Sequence, residues 1–175
     1  MENGFPSELK HRGLRLDLTM PPDWERIEPL RQAIALCAAA VFDNPELPES
    51  LAMVSAELLE NAIKHGQPGP IFFSLREENH SVLVTVRNSI EQQSPSLAAL
   101  VARLSWIESF PEPGEAYLSA MSVIYEDGAR VGGSELGLVR IVFEGKCQIE
   151  CKTSEPGFVT VRARYPLSTA TGNAP

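Results

Sequence analysis

Glu57 and Asn61 stand four residues apart in the run Glu57-Leu58-Leu59-Glu60-Asn61-Ala62-Ile63-Lys64-His65-Gly66. On an α-helix that spacing stacks one side chain above the other. Both border the apolar stripe of Val54, Leu58 and Ala62, away from the opposite, solvated face. A carboxylate so placed can take a proton from an attacking hydroxyl or water. An amide oxygen can ligate Mg2+, which takes oxygen donors and brings its own phosphates. The residues also fit a plainer role, in which Glu57 and Glu60 solubilise the helix and Glu60 pairs with Lys64 at i, i+4. A second run, Val131-Gly132-Gly133-Ser134, opens a short apolar helix. Glycines permit close backbone approach, and the free N–H groups at a helix start hold anions. Locally it reads equally as a tight turn with Ser134 as N-cap.

These side chains need elements to hold them. Leu14, Leu16 and Leu18 alternate with Arg15 and Asp17, which predicts a first strand. Pro21-Pro22-Asp23 then breaks the chain, with Asp23 as N-cap of a helix from about Trp24 to Phe42. A second helix is expected over about Pro48 to His65, closed by Gly66 as a C-cap glycine. Ile71, Phe73 and Leu75 predict one strand and Val82, Val84 and Val86 the next, joined by a hairpin at Glu77 to His80. Residues 91–131 predict two amphipathic helices, one with Leu97, Leu100, Val101 and Leu104 inward, the other with Tyr117, Met121, Ile124 and Tyr125. A helix over about Glu135 to Phe143 and two strands near Cys147–Thr153 and Phe158–Tyr165 complete the order. Strands joined by short turns, with helices grouped and not alternating singly, predict an α+β two-layer sandwich: a mixed, mostly antiparallel sheet with helices on one face.

The 175 residues fit one domain with a real core. The 15 basic and 23 acidic residues give a net charge of −8, which argues against nonspecific binding to nucleic acid or an anionic membrane. Three cysteines without a Cys-x-x-Cys pair read as free thiols in a reducing compartment. No apolar stretch approaches a membrane span and no signal-peptide pattern opens the sequence, so a cytoplasmic protein is expected. Residues 1–12 are expected to be flexible and 168–175 to form a disordered tail.

Across roughly residues 14–166 the sequence resembles the GHKL superfamily, the ATP-binding domains of gyrase, histidine kinases and mismatch-repair ATPases. Glu57 to Gly66 is similar to that family's N box. Gly132-Gly133-Ser134-Glu135-Leu136-Gly137-Leu138 is similar to its second glycine box, and Val86-Arg87-Asn88-Ser89 stands where the first belongs. The opening strand, the Pro-rich break and the long first helix look closest to the anti-sigma-factor serine kinases of bacterial partner-switching systems. The resemblance implies a Bergerat-type ATP-binding fold forming a single histidine-kinase-like ATPase domain over 13–167. It implies ATP and Mg2+ as cofactors, Glu57 as catalytic base and Asn61 as the magnesium ligand. Lys64 and His65 would lie near phosphates, and Asn88 would read the adenine amino group. Gly132, Gly133, Ser134, Gly137 and Leu138 would form the segment whose backbone approaches the phosphates. The implied partner is a STAS-type anti-sigma-factor antagonist or a sigma factor, and relatives commonly form homodimers through the sheet or first helix.

The sequence departs from the pattern at two places. Asn88-Ser89-Ile90-Glu91-Gln92 has an amide where the first box has an aspartate, and neither of its glycines. Glu135 puts a carboxylate where the second box usually has glycine, and it would repel a triphosphate there. Two functions therefore stand side by side: a serine/threonine kinase acting on a STAS-type partner, and a protein-binding regulatory module on the same fold with a degenerate nucleotide site and no kinase activity.

Overall fold

The structure, a computed structural model, describes residues 13–91, 93–126, 134–153 and 156–167. The chain opens with β1 (Arg15–Met20), passes a 3-10 turn (Trp24–Arg26) and enters α1 (Ile27–Val41) and α2 (Leu47–His65). The hairpin β2 (Ile71–Glu78) and β3 (Ser81–Ser89) follows, then α3 (Pro95–Glu108), α4 (Pro113–Glu126) and α5 (Ser134–Phe143), and finally β4 (Gln148–Lys152) and β5 (Phe158–Pro166). The sheet order is β1-β2-β3-β5-β4, and all four described pairings are antiparallel, so no parallel pair is present among the described residues. The expected flexible residues 1–12 and tail 168–175 lie outside the described residues, as do Gly132 and Gly133.

Alternation decides which strand residues face the helices. Leu75, Val84 and Ala163 are opposite one another in register and fully buried, as are Phe73 and Val86 one step along. They meet α2, whose Leu47, Leu51, Val54, Leu58 and Ala62 run down one stripe, with Ala52 and Leu59 buried beside it. α1 covers α2 through Ile34 and Ala38. The β2–β3 turn places Asn79 and His80 both at positive φ, 48° and 56°, the left-handed pair whose twist suits a two-residue hairpin. Asp23 caps the 3-10 turn, accepting from the Glu25 N–H, and Ser94 caps α3 by accepting from the Leu97 N–H.

The inter-box helices form as expected, α3 with Leu100 and Leu104 of its expected stripe against the core and α4 with a different face inward. In α3 the buried pair is Leu104 and Ile107, while Val101 is exposed. In α4 it is Ala116 and Ala120, while Met121 and Tyr125 face solvent, Tyr125 at 90% exposure. Two alanines let α4 approach α5 closely, and the Tyr117 ring tilts against Phe143 at 4.7 Å. Close backbone approach there outweighs the larger apolar side chains that the sequence placed inward.

Candidate functional site

α2 carries the site because it is the central helix of the second layer, wedged between α1, α5 and the sheet. Its C-terminal turn meets the end of β3. Gly66 has extended backbone, φ −78° and ψ 167°, so it does not close α2 in the left-handed conformation expected of a C-cap glycine. Its missing side chain matters for another reason: a Cβ there would come within 2.4 Å of the Ala62 carbonyl oxygen and 2.5 Å of Asn88 Nδ2. The glycine lets Asn88, only 5% exposed, tuck under the end of α2, where its Nδ2 donates to the Ser89 carbonyl at 3.1 Å.

A cavity of about 400 Å³ opens between α2, the end of β3, β5, α3 and α5. Asn61, His65, Asn88 and Leu138 line it, so four of the residues singled out in the sequence converge. Its floor and walls are apolar, among them Leu58, Val86, Ile90 and Val161, and α3 closes one side with Leu100 and Arg103. Arg103 stacks its guanidinium on Trp106 at 4.1 Å. Asn61 Nδ2 is buried and has no hydrogen-bond partner among the described residues. Burial, with the Lys64 cation beside it, holds the His65 imidazole below its ordinary pKa. Lys64 itself is exposed and does not line the cavity.

Glu57 is not part of that cavity. It lines an open polar groove on the other side of α2, between α1 and α5, with Arg31, Glu60, Arg140 and Glu144. Arg140 Nη1 donates to Glu57 Oε1 at 2.5 Å, and Arg140 Nε donates to Glu144 Oε2 at 3.1 Å. The Glu57 side chain is only 13% exposed. Burial raises its pKa, the attraction of Arg140 offsets part of that rise, and the Glu60 and Glu144 charges add to it. Gly137 of α5 lies against both Glu57 and Asn61: a Cβ there would meet Glu57 Oε2 at 2.5 Å and Asn61 Nδ2 at 3.7 Å. Gly137 therefore serves the contact of α5 with the two α2 side chains. Ser134 begins α5, and its neighbours Gly132 and Gly133 are not described.

Sequence reasoning missed Arg140, Arg103 and the whole α3 wall. For Arg140 a signal was available: it is the one charged residue in the otherwise apolar run Leu136 to Phe143 of α5, and an isolated charge beside a core implies a buried partner.

The arrangement can hold a flat heterocycle. Its walls are apolar, and Asn61 and Asn88 each offer an amide donor and a carbonyl acceptor. An acceptor on the ligand would satisfy the orphaned Asn61 donor. For Mg2+ the described residues contain no group of three acidic, histidine or cysteine side chains able to hold an ion. Asn61 is the residue singled out for that role, and its Nδ2 is the atom buried without a partner. No family model matches the chain, and the search of curated proteins finds no significant match.

Proposed function

We propose that the protein is a regulatory module of the GHKL type, closest to the anti-sigma factors of bacterial partner switching, that takes an adenine-type base in the α2/β3/α3 cavity and acts by binding, without phosphoryl transfer. One observation carries this reading. Asn61 and Asn88 line one apolar cavity, while Glu57, the residue that would have to activate a substrate hydroxyl, lies outside it with its carboxylate engaged by Arg140. A general base must be within reach of the proton it removes. The element order, with the N-box-like helix beside the strand end at Asn88, supports the family reading. A STAS-type antagonist or a sigma factor is the partner class that goes with it, in the cytoplasm. Among the described residues no helix is long and apolar enough to cross a membrane.

A thermal shift series tests the proposal, with adenosine, ATP with Mg2+, and ATP with a chelator. Binding stabilises the native state by RT ln(1 + [L]/Kd), about 2.7 kcal/mol at a hundredfold excess over Kd. Adenosine and both forms of ATP should each raise the melting temperature, and Ala99→Trp at the α3 wall should remove the effect. Absence of any shift at millimolar ligand overturns the proposal.

The kinase is the second reading, favoured by one feature: Glu57 and Asn61 remain neighbours across Gly137, and a carboxyl with a raised pKa suits a general base. It requires Arg140 to release Glu57. Transfer of labelled phosphate from ATP to a STAS partner, lost in Glu57→Gln with nucleotide binding kept, would establish it in place of the module.

A further inference from the structure

Among the described residues α2, α3 and α5 meet the sheet on the face of Val86, Val159 and Val161, and register identifies what the other side presents. One row across four strands and onto the edge reads Arg15, Arg76, Leu83, Arg164 and Gln148. The next reads Asp17, Ser74, Thr85, Arg162 and Glu150, and the third Thr19, Phe72, Arg87, Thr160 and Lys152. The face thus holds six cations, Arg15, Arg76, Arg87, Lys152, Arg162 and Arg164, against three carboxylates, Asp17, Glu78 and Glu150. This excess sits on a chain of net charge −8. Each of two carboxylates is shared between two cations. Arg15 and Arg76 hold Asp17 at 2.7 and 2.5 Å, and Arg162 and Lys152 hold Glu150 at 2.9 and 3.0 Å. Arg164 is exposed and has no carboxylate partner among the described residues. The side chains are accessible: Arg15 is 69% exposed and Lys152 59%.

We propose that this open sheet face docks an acidic segment of a partner protein. This goes beyond the nucleotide reading and does not depend on it. Arginine presents a planar fork that takes a carboxylate through two parallel hydrogen bonds, and it is weakly hydrated, so it suits an interface. The acidic surface that makes the chain anionic belongs largely to the helical layer, about a Debye length behind the sheet at ordinary salt, so the face presents its local charge to a partner. The occupant is a protein carboxylate and not a nucleic acid base for a structural reason. The two aromatic rings on the face, Phe72 and Phe158, are both covered by the Arg87 guanidinium, at 5.3 and 4.1 Å from their centroids, so they offer no stacking platform. A second copy is a poor occupant, because a face with six cations and three carboxylates repels its own like. Five strands of these lengths span about 20 Å by 20 Å. That area belongs to a weak, transient contact.

Fluorescence anisotropy on the full chain tests this, with labelled poly-glutamate, labelled poly-lysine and a labelled single-stranded oligonucleotide as probes at about 0.1 M salt. Poly-glutamate should bind saturably at micromolar concentration. Arg164→Glu, on an exposed side chain with no ion pair among the described residues, should weaken it about tenfold or more. Gln32→Glu on the opposite, helical side should leave it unchanged. No saturable poly-glutamate binding, equal loss in both variants, or tighter binding of the oligonucleotide than of the peptide overturns the proposal. A loss of native circular dichroism in Arg164→Glu would shift the test to Arg164→Gln, for which a severalfold weakening is expected and an unchanged affinity overturns it.

Discussion

Gly137→Ala isolates the contact of α5 with Glu57 and Asn61. The new methyl carbon would lie 2.5 Å from Glu57 Oε2 and 3.7 Å from Asn61 Nδ2, so only the carboxylate stands in its way. Glycine in a helix interior is about 1 kcal/mol less favourable than alanine, which by itself predicts stabilisation. The carboxylate, however, must swing away and leave Arg140. A charge-assisted hydrogen bond contributes about 1.5–3 kcal/mol when buried. Arg140 is 38% exposed, and solvent screening brings the loss toward the lower end, about 2 kcal/mol. The substitution should therefore destabilise the native state by about 1 kcal/mol, the difference of those two effects. In a Glu57→Ala background the obstacle is gone and the nearest neighbour sits at ordinary contact distance. There Gly137→Ala should stabilise by about 1 kcal/mol, a coupling of about 2 kcal/mol in the cycle. Urea denaturation of the four proteins, with equal m values, reads this directly. Gly66→Ala is the contrast, destabilising in both backgrounds because its obstacle at 2.4 Å is the backbone carbonyl of Ala62. If Gly137→Ala stabilises both backgrounds alike, Glu57 does not occupy the space that the structure assigns to it.

The raised pKa of Glu57 has a definite sign: between its ordinary and its raised value the native state binds more protons than the unfolded chain, so this group's contribution falls as pH rises through that window. Urea midpoints from pH 4 to 7 should decline less steeply with pH in Glu57→Gln than in the parent, and a steeper decline would contradict the burial of that carboxyl. Asn88→Asp puts a carboxylate at a 5%-exposed position and removes the donor to the Ser89 carbonyl; it should cost about 2 kcal/mol at pH 7 and less at pH 4, where the acid is neutral, and a pH-independent loss would be inconsistent with this. Burial pushes the Cys147 thiol up to about 12, so iodoacetamide at pH 8 should leave Cys147 unmodified in the native protein and label it on unfolding, as mass spectrometry of the peptides would show.

Two-residue and helical periods made most of the architecture legible. Phe73 and Leu75, and Val82, Val84 and Val86, were readable because these alternate positions are the ones buried against the helical layer. The apolar stripe of α2 was readable because it is long and continuous. The face of α4 was not: hydrophobicity pointed to Met121 and Tyr125, whereas burial followed Ala116 and Ala120, which permit the closest approach to α5. The convergence of Asn61, His65 and Asn88 followed from where α2 and β3 end. The parting of Glu57 from Asn61 did not, because residues i and i+4 share a helix face. Both pack against Gly137 of α5, more than seventy positions later in the chain, and Arg140 of the same helix draws Glu57 to the groove.

The sheet register also fixes where the described chain starts and stops. Arg15 in β1 and Arg164 in β5 belong to the same row, three strand spacings apart, which is about 15 Å. A tether of about five residues spans that gap. A chain in which such a tether joins β5 to β1 directly and which opens instead at the link between α3 and α4 would accordingly keep every strand neighbour.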